Sequence, residues 1–150
     1  MALVVALDTS VIVASLLTWH EHHAPSLRAL EAAMDGGQLA VPVPALVESY
    51  AVITRLPAPH RLSARDAHAL LESNFAASTR ADGLTGPECW AMLASLAAQS
   101  IAGGRAYDAQ ILAAAVKSRA KALLTLNVKD FAALARDDIE IRSPLSVGPT

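Results

Sequence analysis

Two hydrophobic patterns alternate along this chain: unbroken apolar runs of strand length, and longer segments with apolar residues three and four apart. The first run, Leu3-Val4-Val5-Ala6-Leu7, predicts a strand buried on both faces, as in a parallel sheet covered by helices. It stops at Asp8. Thr9 and Ser10 are N-cap residue types, and the apolar stretch from Val11 to Leu17 predicts the first helix. A second helix is expected from about Pro25 to Met34, ended by Gly36-Gly37, with Leu39-Ala40-Val41 as a short second strand. Pro42 and Pro44 restart the chain as a helix with proline near its first turn.

Leu56-Pro57-Ala58-Pro59 breaks that helix, and Ser63-Ala64-Arg65-Asp66 opens another that runs to about Ser73. The stretch from Phe75 to Gly86 leaves room for a short strand. Thr85-Gly86-Pro87-Glu88 has capping-box spacing and starts a helix to about Ser100, which makes Glu88 a capping residue. After Gly103-Gly104 a helix is expected from Ala106 to Arg119. Ala122-Leu123-Leu124-Thr125-Leu126 then predicts a buried strand, and Ile139-Glu140-Ile141 a last short one. Strands alternating with helices predict an α/β fold with a mostly parallel central sheet flanked by helices. No composition shift marks a linker, so residues 1–150 are expected to form one domain.

Composition narrows this picture. Hydrophobic residues make up 53% of the chain but aromatics only 4%, which suits closely packed helices. The single Cys89 excludes an internal disulfide. With no basic leader and no apolar run of about 20 residues, neither secretion nor membrane insertion is expected, and the expected location is cytoplasmic. A net charge of −2, from 12 Lys and Arg against 14 Asp and Glu, does not mark a nucleic-acid binder. Two small basic groups, Arg55, Arg61, Arg65 and Arg80, then Lys117, Arg119 and Lys121, either follow a phosphate backbone around an acidic site or are solvated faces.

Three carboxylates carry the candidate chemistry. Asp8 ends a strand at the sheet edge where open α/β folds bind ligands, although alone it is equally a turn residue. Glu48 shares a helical face with Pro44, Ala51 and Val52; a carboxylate among apolar neighbours needs a cation or a hydrogen-bonded partner. Asp108 lies in the first turn of its helix, where the dipole favours an anion, on a face with Ile111 and Leu112. Trp19-His20-Glu21-His22-His23 places three imidazoles within four residues. Their loop-like spacing, with no second ligand cluster, predicts solvent-exposed histidines and not a metal site.

In this order, Asp8, Glu48, Asp108 and the late segment Thr125-Leu126-Asn127-Val128-Lys129-Asp130-Phe131 resemble the PIN-domain ribonucleases. In particular the chain looks like the small VapC-like toxin component of bacterial type II toxin–antitoxin pairs. The resemblance implies that Asp8, Glu48 and Asp108 gather round Mg²⁺ or Mn²⁺ at the strand ends, where a metal-activated water hydrolyses RNA phosphodiester bonds. It implies three partners: RNA as substrate, a cognate small antitoxin lying across the active-site groove, and a second copy in a homodimer. Asn127 stands where the family often carries Asp, which leaves open whether Asp130 compensates. Ser10 and Thr125 either hydrogen-bond the ligands from behind or serve as cap and strand-end residues. Other classes stay open: a housekeeping RNA-processing nuclease, or a non-catalytic RNA- or protein-binding module on the same scaffold. A phosphotransferase with Asp8 as nucleophile would be expected to carry a second Asp where this chain has Ser10.

Overall fold

Strand β1 (Leu3–Leu7) lies at the centre of a five-stranded sheet in the computed structural model, which describes residues 3–134 and 136–146. Its neighbours are β2 (Gly37–Ala40) and β4 (Ala122–Leu124), with β3 (Thr79–Arg80) and β5 (Glu140–Arg142) outside them, in the order β3-β2-β1-β4-β5. Every pairing is parallel. Parallel strands require crossovers, and helices supply them. Helices α1 (Thr9–Leu16) and α2 (His23–Gly36) join β1 to β2; α3 (Val43–Thr54), α4 (Ala64–Leu71) and a π-helical turn (Glu72–Ala76) lead to β3. Helices α5 (Gly86–Ala98) and α6 (Arg105–Lys117) return the chain to β4, and α7 (Val128–Ala132) leads to β5.

The chain moves outward from β1 to β3 on one side, then resumes on the other side of β1. The carboxyl ends of β1 and β4 therefore form a topological switch point. Leu7 pairs with Leu124, and the Asp8 amide donates to the Leu124 carbonyl at 2.9 Å. Asp8 and Thr125 thus leave the sheet side by side. Leu7, Ile12, Leu39, Leu123 and Phe131 are fully buried around this point. Burial of each such side chain stabilises the fold by roughly 1.5–3 kcal/mol, so the strand ends rest on a stiff core. A smaller cluster of Val13, Leu17, Ile53 and Ala67 ties α1 to α3 and α4.

Several boundaries differ from the sequence expectation. Leu3 is exposed and Val4 half-buried, so only the carboxyl-terminal part of β1 is enclosed. Helix α1 starts at Thr9, which puts Asp8 at the N-cap position and frees the Ser10 side chain for other bonds. Gly37 is not only a helix stop. It opens β2 opposite Leu3, where a Cβ would collide with the Leu3 carbonyl. The α4 segment continues past Ser73 to Ala76, because the π-helical turn brings Phe75 into the core.

The capping box at α5 is formed: Thr85 N–H donates to Glu88 Oε1 at 2.8 Å, and Glu88 N–H donates to Thr85 Oγ1 at 3.3 Å. Lys117 Nζ donates to that same Glu88 oxygen at 2.6 Å and to the Gly83 carbonyl at 2.9 Å. Lys117 therefore ties α6 to the start of α5 and does not stand free for a phosphate. Arg80 pairs locally with Asp82, two residues on, at 3.4 Å. Among the described residues no helix is long and apolar enough to cross a membrane.

Candidate active site

Asp8 is 3% exposed, yet it holds a carboxylate at the sheet edge, and its bonds explain how. Ser10 Oγ donates to Asp8 Oδ2 at 2.7 Å, and Thr125 Oγ1 donates to the same oxygen at 2.8 Å. Each hydroxyl in turn accepts a backbone N–H, Ser10 from Leu126 at 3.0 Å and Thr125 from Asn127 at 2.9 Å. With their acceptor sides occupied, both hydroxyls turn their protons to Asp8. Burial raises the Asp8 pKa above the ordinary carboxylate value; the hydroxyls of Ser10 and Thr125 and the amides of Thr9 and Ser10 oppose it without cancelling it.

A cavity of about 470 Å³ opens over Asp8, and Ser10, Glu48, Asp108, Asn127 and His20 share its wall. Asp108, in the first turn of α6, is half-buried, while Ile111 and Leu112 below it are buried. Its pKa is pushed up to about 6, first by burial and then by the charges of Asp8, Asp130 and Glu48, with Arg105 opposing. The charges of three carboxylates from other parts of the chain therefore reach Asp108. Like charges held this close favour protonation or a cation between them.

Glu48 is not buried among apolar neighbours, contrary to expectation. The inward face of α3 is Ala45, Ser49 and Ile53, and Glu48 lies off it, exposed at the cavity rim. Rim exposure spares the charge its desolvation cost and needs no structural partner. Asn127 is exposed at the N-cap position of α7, with its side chain on the cavity wall and no side-chain cap bond. Asp130, one turn further, lines an adjoining cavity with Lys129 and Arg142, so it reaches this site by charge and not by forming its wall.

The histidines depart furthest from the sequence reading. His20 and His22 are half-buried and line the acidic cavity, and His23 begins α2 with Nδ1 2.9 Å from the Ala14 carbonyl. Their spacing was informative only about metal ligation. The useful signal was their place in a short loop after the helix that follows Asp8.

Among the described residues no group of three or more His, Cys, Asp or Glu is disposed to enclose a metal ion. A small hard cation does not require such a cage, because Mg²⁺ keeps several waters and takes one or two carboxylates plus substrate phosphate. Asp8 and Asp108 fit that mode. They are oxygen donors on one cavity, Asp8 is oriented by two hydroxyls, and the charge around Asp108 is what a divalent ion relieves.

A parallel α/β sheet with acidic residues grouped beyond its central strands defines a class. Residues 5–137 match the PIN domain family model, and the chain belongs to that family. It is 36% identical over 143 residues to Ribonuclease VapC40 of Mycobacterium tuberculosis, covering 91% of this chain and 96% of the relative. It is also 37% identical over 119 residues to Ribonuclease VapC27 of the same species, covering 77% and 80%. Among solved structures, M. tuberculosis VapC20, described as a Sarcin-Ricin loop cleaving toxin, superposes with a TM-score of 0.70 at 17% identity, covering 91% of this chain and 98% of that one. VapBC2 from Rickettsia felis, bound to a DNA fragment from its promoter, gives 0.68 at 15%, covering 94% and 98%. The similarity to VapC ribonucleases thus extends over most of the chain, and the solved structures share its fold.

Proposed function

We propose that this chain is a divalent-cation-dependent endoribonuclease and the toxin of a type II toxin–antitoxin pair. The observation that carries the proposal is the buried Asp8, oriented by Ser10 and Thr125, on one cavity wall with Asp108, Glu48 and Asn127. The similarity to named ribonucleases supports the substrate class. Asp8 and Asp108 would hold Mg²⁺ or Mn²⁺, with Glu48 at the rim. A cation bound there supplies Lewis-acid polarisation of a phosphodiester and acidifies water at neutral pH.

The protein's own residues have separate tasks. Ser10 and Thr125 fix which Asp8 oxygen is spent on internal bonds, so that the carboxylate is preorganised by its supporting hydrogen bonds. Asp108, with a pKa of about 6, is largely ionised at neutral pH and gains a compensating charge when a cation enters. Asn127 contributes an amide to the wall without adding to the repulsion, and Asp130 adds negative charge from outside it.

The same acidic pocket suits an arginine side chain of a small antitoxin, because a guanidinium pairs with carboxylates in bidentate fashion. Exposed Val47, Tyr50, Trp90 and Tyr107 offer apolar surface for that partner or for a second copy in a homodimer, the form we expect in the cytoplasm. The test is cleavage of single-stranded RNA by the purified chain with Mg²⁺ or Mn²⁺, against Asp8→Asn and with the neighbouring small gene product added. Cleavage that Asp8→Asn leaves unchanged overturns the assignment. An adjacent gene product that neither binds nor inhibits removes the toxin role but not the nuclease.

A further inference from the structure

The loop between α1 and α2 carries a histidine that the proposed chemistry does not use. The loop is a stack of turns: His20 N–H donates to the Leu17 carbonyl at 3.0 Å, and His23 N–H to the His20 carbonyl at 3.0 Å. Within it, His22 N–H donates to His20 Nδ1 at 3.0 Å. A ring nitrogen that accepts an amide hydrogen carries no proton, so the neutral imidazole of His20 has its proton on Nε2. Among the described residues that Nε2 makes no hydrogen bond, whereas His22 lies 3.4 Å from Glu21 and His23 is engaged by Ala14.

The ring is also held in place. Trp19 stacks on His60 with centroids 4.1 Å apart, which links this loop to the one after α3, and the His20 ring sits 6.2 Å from Trp19 and 5.8 Å from His22. Burial, then His22, lowers the His20 pKa, with Glu21 opposing, so the ring is a neutral donor at neutral pH. An Nε2–H without a partner among the described residues, on a histidine that lines the cavity together with Asp8, Glu48 and Asp108, is suited to an anionic ligand oxygen.

We propose that His20 is a substrate-binding residue, whose Nε2–H donates to a phosphate oxygen of the RNA strand in the acidic cavity. This rests on the ribonuclease reading. The test is the affinity of the Asp8→Asn protein, with Mg²⁺ present, for a fluorescein-labelled single-stranded RNA of mixed sequence, read by anisotropy. His20→Asn keeps an acceptor for the His22 amide and lacks the Nε2 donor. It should weaken binding about tenfold, the loss of one hydrogen bond to a charged group, with an unchanged melting temperature. His20→Gln, which reaches further with an amide N–H, should recover most of that loss. With Asp8 intact, His20→Asn should raise KM about tenfold and leave kcat within about twofold, because the contact is made equally before and during reaction.

Binding by His20→Asn as tight as its parent's, or His20→Gln no better than His20→Asn, overturns the proposal. If the intact chain cuts RNA while His20→Asn changes nothing, only the His20 assignment falls. If the Asp8→Asn protein binds no RNA and the intact chain cuts none, the ribonuclease reading falls and this inference with it.

Discussion

Replacing Asp108 by Asn should make the protein more stable and inactive at once, and pH separates the two effects. In the native state its pKa moves from 3.8 to about 6, because burial and the charges of Asp8, Asp130 and Glu48 disfavour ionisation. Taken in full, that displacement equals roughly 3 kcal/mol of penalty at pH 8. The side chain is only half-buried, so solvent screening reduces the expected gain for the variant to about 1 kcal/mol. For a chain of 150 residues this is about 3 °C in melting temperature.

The sign follows from proton linkage. Below 3.8 the carboxyl is neutral folded and unfolded, so parent and variant are equally stable there. As pH rises towards 6 the unfolded chain has lost the proton and the native one holds it, so the parent loses stability; above about 6 the deficit is complete. Urea unfolding at pH 4 and pH 8, without divalent ions, reads the difference directly. Mg²⁺ should then close the gap at pH 8 by stabilising the parent more than the variant. A variant less stable than the parent at pH 8, or an offset equal at both pH values, refutes the reasoning and makes Asp108 an ordinary packing residue.

Thr125→Val keeps the shape of a fully buried side chain but leaves Asp8 one donor short and the Asn127 amide without its acceptor. It should cost about 1–3 kcal/mol in urea unfolding and lower RNA cleavage; a neutral result means the hydroxyl does not orient Asp8. Gly37→Ala should cost about 1–3 kcal/mol, because its Cβ meets the Leu3 carbonyl and β1 and β2 must separate; thermal melting checks this, and an unchanged melting temperature refutes that close approach. Asn127→Asp adds a carboxylate to the cavity wall and should tighten Mg²⁺ binding by calorimetry, whereas unchanged affinity means that Asn127 does not face the ion.

The sheet was legible in the sequence because its strands are apolar runs between helix-period segments, and Asp8 stood out because it interrupts one run. β1 and β4 are near-continuous apolar stretches, as strands buried on both faces must be. The two-residue β3 was legible only as room for a short strand between Phe75 and Gly86, since so short an edge strand carries no periodicity; it forms at Thr79–Arg80 because β2 offers it a partner. Glu48 was placed by counting threes and fours, but α3 rotates by one residue so that Ser49 faces inward and returns its hydroxyl to the Ala45 carbonyl at 2.7 Å. Ser is tolerated there because it satisfies itself within the helix. Local pattern does not show which loops return to the strand ends. That is why His20 and His22 were expected in solvent, and why the Lys117 tie to Glu88, across 29 positions, was invisible.

The most direct test of the central claim is RNA cleavage by the purified chain before chelation, in excess EDTA, and after Mg²⁺ or Mn²⁺ is restored. The account predicts that EDTA stops cleavage, that either ion restores it, and that Asp8→Asn and Asp108→Asn stay inactive under all three conditions while remaining folded. Undiminished cleavage in EDTA, or full activity in either variant, contradicts it.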